Sequence, residues 1–160
     1  MPVSSESASG RGGGWVAAQA LLLAAVVVAG LAAPAWEGVA PWLALPLGAL
    51  LLALGALLGV AGVRGLGRSL TPYPRPRGDA ELVSHGVYGR VRHPIYGGLV
   101  LAALGWALLT ASVAALVLAL ATLPFFLLKA AREERYLLER FPAYEEYRQR
   151  VPRRLLPWLL

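Results

Sequence analysis

Cysteine is absent from this chain, which excludes disulfides, thiolate nucleophiles, cysteine-ligated metals and thiol-linked lipid anchors. Histidine is scarce: His85 and His93 are the only two, too few for a histidine-rich metal site, so no metal site is expected. Charged residues are few as well. They make up 15% of the 160 residues against 58% hydrophobic, too greasy a balance for an ordinary soluble domain. No strand-like run followed by GxGxxG occurs, so nothing points to a dinucleotide-binding α/β domain.

The charge that is present is segregated. Arg64, Arg68, Arg75, Arg77, Arg90 and Arg92 lie in one segment; Lys129, Arg132, Arg135, Arg140, Arg148, Arg150, Arg153 and Arg154 lie in the tail. The apolar stretches between them carry no basic residue. A net charge of +6 would suit nucleic acid if it were spread over a soluble surface. Confined to the ends of apolar runs, it is the positive-inside pattern of an integral membrane protein, with anionic headgroups as the partner.

Four apolar runs are long enough to read as helices. Trp15 to Ala33 gives about nineteen residues, enough to cross a hydrocarbon core at ~1.5 Å per residue. Ala33-Pro34-Ala35 resembles a signal cleavage site, but the run is long for a signal and its basic flank is Arg11 alone, so a retained helix is expected. Trp42 to Val63 is the second span, with Gly48, Gly55, Gly59 and Gly62 allowing close helix contact within a bundle. Pro94 to Ala111 and Ser112 to Leu128 are the third and fourth, so closely joined that they must form an antiparallel hairpin. Pro124 is expected to kink the fourth. From Lys129 the pattern stays helical but becomes charged. Pro142 should end that helix, a short helix should carry Tyr144 and Tyr147, and "VPRRLLPWLL" should lie along the membrane interface. The fold class is therefore all-α, a membrane bundle of about four transmembrane helices. The even number of spans places both termini and the long 64–92 connection on the cytoplasmic side, together with the basic residues.

Three places could carry chemistry. "GVYGRVRHPIYGG" sets Arg92, His93 and Tyr96 beside Gly97 and Gly98, and paired glycines admit a ligand or a second backbone. Arginine snorkelling and proline at a first helical turn explain part of it without function, but not His93 three residues from Tyr96. Glu133 and Glu134 are adjacent carboxylates where a helix leaves the membrane; they point about 100° apart, so one can face the bundle while its neighbour reaches sideways. Tyr144 and Tyr147 read as an interfacial aromatic pair with a structural role.

Taken in order, "LVSHGVYGRVRHPIYGG", a short hairpin, and "REERYLLERFPAYEEYRQRVPRRLLP" resemble the isoprenylcysteine carboxyl methyltransferase family and its phospholipid methyltransferase-like relatives. The resemblance covers roughly residues 80–157. It implies S-adenosylmethionine as methyl donor, bound between the loop before the hairpin and the tail after it. By position, Val83, His85, Gly86, Tyr88, Arg92, His93, Tyr96 and Gly98 would line one wall, with Glu133 and Glu134 opposite. A glutamate, or else His93, would act as base if the acceptor needs one. Pro142 departs from the glycine common in relatives, and the N-terminal half matches only as apolar helices. On this reading residues 1–14 are a disordered tail, 15–63 two transmembrane helices, and 64–160 the methyltransferase core.

The implied function is methyl transfer to a lipophilic acceptor, carboxylate or amine, at the cytoplasmic membrane surface. Arginine in place of lysine, with abundant Ala, Leu and Gly, points to a GC-rich bacterial genome and so to an inner membrane. Two alternatives stand beside it. Membrane sterol reductases share a related Arg-His motif and use NADPH, and a non-enzymatic lipid- or partner-binding scaffold would need no cofactor.

Overall fold

The computed structural model describes residues 12–32, 41–76 and 78–157. The 1–11 part of the expected tail and the Ala33-Pro34-Ala35 stretch lie outside them. Five α-helices follow in order: α1 Gly13–Ala32, α2 Pro41–Leu66, α3 Pro94–Leu109, α4 Val113–Arg140 and α5 Tyr144–Arg150. Two 3-10 turns, Gly67–Ser69 and Gly86–Gly89, bracket the long connection, and no strand occurs among the described residues.

α1, α2 and α4 are each long and apolar enough to cross a membrane, whereas α3 is a shorter apolar helix. Large apolar side chains on the outer faces are exposed, Leu57 at 68% and Leu128 at 63%. In water such surface would be an aggregation site; against lipid it costs nothing.

α3 is the central helix, and its length follows from its surroundings. It buries Gly97, Gly98, Val100, Ala103, Gly105 and Ala107 and ends two residues before the expected Ala111. Ala111 itself takes φ 46° in the turn, and Ser112 caps α4, its hydroxyl accepting from the Ala115 N–H at 3.1 Å and donating to the Ala29 carbonyl at 3.0 Å. α2 and α3 pack through a glycine seam with a seven-residue repeat on each helix. A Cβ at Gly48 would sit 3.0 Å from the Gly105 carbonyl oxygen, one at Gly55 2.6 Å from that of Gly98, and one at Gly62 2.7 Å from the Ile95 side chain. Close backbone approach of this kind is how apolar helices gain contact without a hydrophobic driving force. α1 completes the bundle against α3 and α4 through Val26 and Ala29, which join Ala103, Ala107, Ala115 and Ala119 in a small-residue core.

The fourth span and its charged extension are one helix, continuous through Pro124 to Arg140, since apolar faces at one end and solvated charges at the other do not interrupt the backbone ladder. Residues 151–157 fold back as a strap beneath the start of α3: the backbone N–H groups of Arg92 and His93 donate to the carbonyls of Arg153 at 3.0 Å and Arg154 at 2.7 Å. Leu155 is fully buried in a cluster with Val100 and Phe126.

Candidate active site

The site is built where α3 and α4 meet the long connection. Gly86 takes φ 61°, opening the turn that presents Tyr88. The Tyr88 ring packs over Gly65, whose Cβ would come within 3.0 Å of it, and its hydroxyl donates to the Gly62 carbonyl at 3.2 Å. The loop is thereby fastened to the end of α2. Pro94 then starts α3, its fixed φ and missing N–H suiting a first turn.

The two glutamates of α4 have separate tasks. Glu134 is buried and accepts three charge-assisted bonds: from Arg92 Nε at 2.9 Å, from His93 Nε2 at 3.1 Å, and from Arg154 Nη2 at 3.0 Å. Because a carboxylate only accepts, its partner nitrogen on His93 is assigned as the protonated one. Arg92 also donates from Nη1 to the Val151 carbonyl at 2.6 Å. Glu134 thus binds α4, the start of α3 and the strap into one unit. Glu133 points elsewhere, about 100° around the helix. It accepts from the Tyr96 hydroxyl at 2.6 Å and lies 3.9 Å from His93 Nδ1.

One turn before Glu133 on the same face is Lys129, the chain's only lysine. It is 1% exposed, and its ammonium donates to Gln19 Oε1 at 2.5 Å and to the Pro72 carbonyl at 3.0 Å. It also stands 5.1 Å from the centre of the Tyr96 ring, within cation–π range. The Tyr96 ring stacks between His93 and Phe126, with centroids 5.5 and 5.1 Å away.

These groups face a cavity of about 290 Å³, at the lower edge of the ~300–1,000 Å³ usual for small-molecule sites. Its polar lining includes Gln19, Glu81, Arg92, His93, Lys129 and Glu133 with Tyr88, Tyr96, Tyr144 and Tyr147; Val63, Leu66, Ile95 and Leu137 supply apolar wall. Burial pushes the Tyr147 hydroxyl up to about 12. Tyr88 and Tyr144 are raised further, first by burial and then by the charge of Glu133 and Glu134 respectively. Tyr147 donates to the Tyr88 carbonyl at 2.8 Å, whereas the buried Tyr144 hydroxyl has no partner among the described residues.

Of the residues expected from sequence, Val83, Tyr88, Arg92, His93, Tyr96 and Glu133 line this cavity. His85 and Gly86 are exposed and stand outside it, as does Glu134. Gly98 is also elsewhere: its missing side chain admits the α2 backbone at Gly55 and Gly59, while Gly97 admits the Leu155 carbonyl. The paired glycines make room for protein, not for ligand. Sequence reasoning passed over Gln19 and Lys129, and gave Tyr144 and Tyr147, which also line the cavity, a structural role only. The first two left a signal, Gln19 being the one amide in an otherwise apolar α1 and Lys129 the lone lysine among arginines.

A family model described as phospholipid methyltransferase matches residues 43–143. Among curated proteins, the protein-S-isoprenylcysteine O-methyltransferase of Schizosaccharomyces pombe is 41% identical over 76 residues, 46% of this chain and 32% of that protein. The protein-S-isoprenylcysteine O-methyltransferase B of Arabidopsis thaliana is 33% identical over 109 residues, 66% of this chain and 55% of its own length. The cobalt-zinc-cadmium resistance protein CzcN of Cupriavidus metallidurans is 38% identical over 107 residues, 64% of this chain and 48% of its own. The alignments thus span from about a third to just over half the length of these relatives. The matched region runs from the start of α2 to the N-terminal edge of α5 and contains both walls of the cavity except Gln19, Tyr144 and Tyr147. By that match, the chain belongs to the phospholipid methyltransferase family.

Proposed function

We propose that this protein transfers a methyl group from S-adenosylmethionine to a lipophilic acceptor at the membrane surface. The observation that carries the reading is one cavity holding the Glu133 carboxylate, the Lys129 ammonium and a stack of aromatic rings where α3 and α4 meet the long connection. S-adenosylmethionine carries complementary groups: an ammonium, a carboxylate, ribose hydroxyls and a flat adenine. Glu133 suits the ammonium or the hydroxyls, Lys129 and Arg92 the carboxylate, and the tyrosine rings the adenine. The buried Tyr144 hydroxyl, unpaired among the described residues, fits a site completed by a polar ligand, because such a group is costly to leave unsatisfied.

When bound, the donor supplies an electrophilic methyl group on a positively charged sulfur. The protein's share is to orient and to exclude water. Tyr96, held by Glu133 on one side and Phe126 on the other, forms a rigid floor. Glu134 fixes Arg92 and His93 without entering the cavity itself. Should the acceptor arrive protonated, His93 Nδ1 and Glu133 are the groups placed to take the proton. Val63, Leu66 and Ile95 offer apolar contact to a lipophilic acceptor. Family membership favours methyl transfer over the reductase reading, and the cavity gives a scaffold reading no task.

Calorimetry on the protein in neutral detergent tests this. Binding of S-adenosylmethionine should be measurable, and Glu133→Gln should weaken it by about 1–3 kcal/mol, the scale of a hydrogen bond to a charged group. Absence of donor binding by the parent protein, with NADPH bound instead, would refute the proposal.

A further inference from the structure

The strap that holds Arg92 has a second aspect. Val151 and Arg153, whose carbonyls accept from Arg92, also line a separate cleft of about 430 Å³ with Gly89, Arg90, Arg150 and Pro157. Three arginines converge there, and no carboxylate of the described residues lines it. Their neighbours are already matched: Arg148 pairs with Glu145 and Arg154 with Glu134. Among the described residues, Arg90, Arg150 and Arg153 have no such partner. All three are exposed, brought together from the turn before α3, the end of α5 and the strap.

A concentration of exposed guanidinium groups raises a positive potential that draws an anion from outside the chain. Guanidinium forks match the oxygens of a phosphate and bind it bidentately. The cleft lies beside the point where the chain enters the apolar helix α3, the level at which basic pockets of membrane proteins meet phospholipid headgroups. Pro157 and Val151 provide it with apolar edges.

We propose that this cleft binds the phosphate group of an anionic phospholipid, and that occupancy fixes the strap and so the Arg92 guanidinium on the cavity wall. The lipid site stands on the arginine cluster alone. Only its effect on the donor rests on the function proposed above.

The test uses the full chain in neutral detergent and native mass spectrometry with defined mixtures of phosphatidylglycerol and phosphatidylcholine. The parent should retain phosphatidylglycerol selectively. The triple variant R90Q/R150Q/R153Q should lose affinity by on the order of a hundredfold, at roughly fivefold per arginine. R64Q/R68Q/R135Q, which removes equal charge from exposed positions outside both cavities, should keep it. R90K/R150K/R153K preserves the charge and guards against misfolding as the explanation, and it should bind within about tenfold of the parent. Equal losses in the two glutamine triples, or no phosphatidylglycerol preference in the parent, would overturn the site. Inorganic phosphate competing as well as the lipid would overturn the lipid assignment in favour of a soluble phosphate. With the site established, adding phosphatidylglycerol to the delipidated parent should tighten donor binding, and R90Q/R150Q/R153Q should not respond. A response equal in both would refute the coupling while leaving lipid binding and methyl transfer intact.

Discussion

Neighbouring glutamates one residue apart should fail in opposite ways. In Glu134→Ala, Arg92 loses the carboxylate it meets at 2.9 Å in a setting where both side chains are 4% exposed. His93 and Arg154 lose their acceptor at the same time. Removing one partner of a buried ion pair costs about 3–5 kcal/mol, because the remaining charge stays buried and uncompensated. Arg92 retains only the Val151 carbonyl, so the upper part of that range applies. Glu134→Gln keeps one acceptor oxygen and should fall in the lower part. Glu133 is different, since its side chain is 24% exposed and no arginine depends on it. Glu133→Gln should therefore leave unfolding within about 1 kcal/mol of the parent, as one lost hydrogen bond would, while weakening donor binding. The assay is chemical or thermal unfolding in detergent, read by circular dichroism, run beside calorimetry on the same preparations. A Glu134→Gln protein as stable as the parent, or a Glu133→Gln protein that loses stability but binds the donor normally, would refute the division of labour.

Three further outcomes follow from the geometry. Gly97→Ala and Gly98→Ala should each lose about 1–3 kcal/mol of stability through overpacking, the first against the Leu155 carbonyl and the second against the α2 backbone; Gly59→Ala, whose Cβ meets nothing, should be neutral in the same unfolding assay. Tyr144→Phe removes a buried hydroxyl without a partner among the described residues, so the ligand-free protein should become more stable by about 1–3 kcal/mol while donor affinity falls; a stability loss would show that the hydroxyl is already satisfied. Tyr88, Tyr144 and Tyr147 hold their protons more tightly folded than unfolded, so their contribution is complete below pH 10 and lost as pH rises through about 12 for Tyr147. The phenolate absorbance of these three rings, read against a Y88F/Y144F/Y147F variant, should accordingly appear together with loss of helical signal, and their ionisation in a protein that stays folded would contradict their burial.

How far the sequence discloses this arrangement depends on what kind of force fixes each part. Helix positions are dictated by unbroken apolar runs, and all four runs became helices with ends shifted by a few residues. That "RVRHPIY" and the Glu133–Glu134 step each carry too much polarity for their depth was legible in the residues, whereas their pairing as opposite walls of one site followed from the family resemblance. The direction of each carboxylate was legible only as a 100° difference. Which glutamate faced the cavity depended on the strap, and the strap's place depended on Gly97, a residue that sequence alone assigns equally to ligand or backbone. Gln19 and Lys129 illustrate the other limit. Nothing in α1 or at the inner end of α4 says that they meet, because tertiary packing of two apolar helices sets their rotation. Yet a lone amide in α1 and a lone lysine in α4 are each unfavourable to bury unpaired, and their bond to one another, beside the Pro72 carbonyl, satisfies both. That constraint brings α1 to the cavity wall and gives a helix outside the matched family region a part in the site.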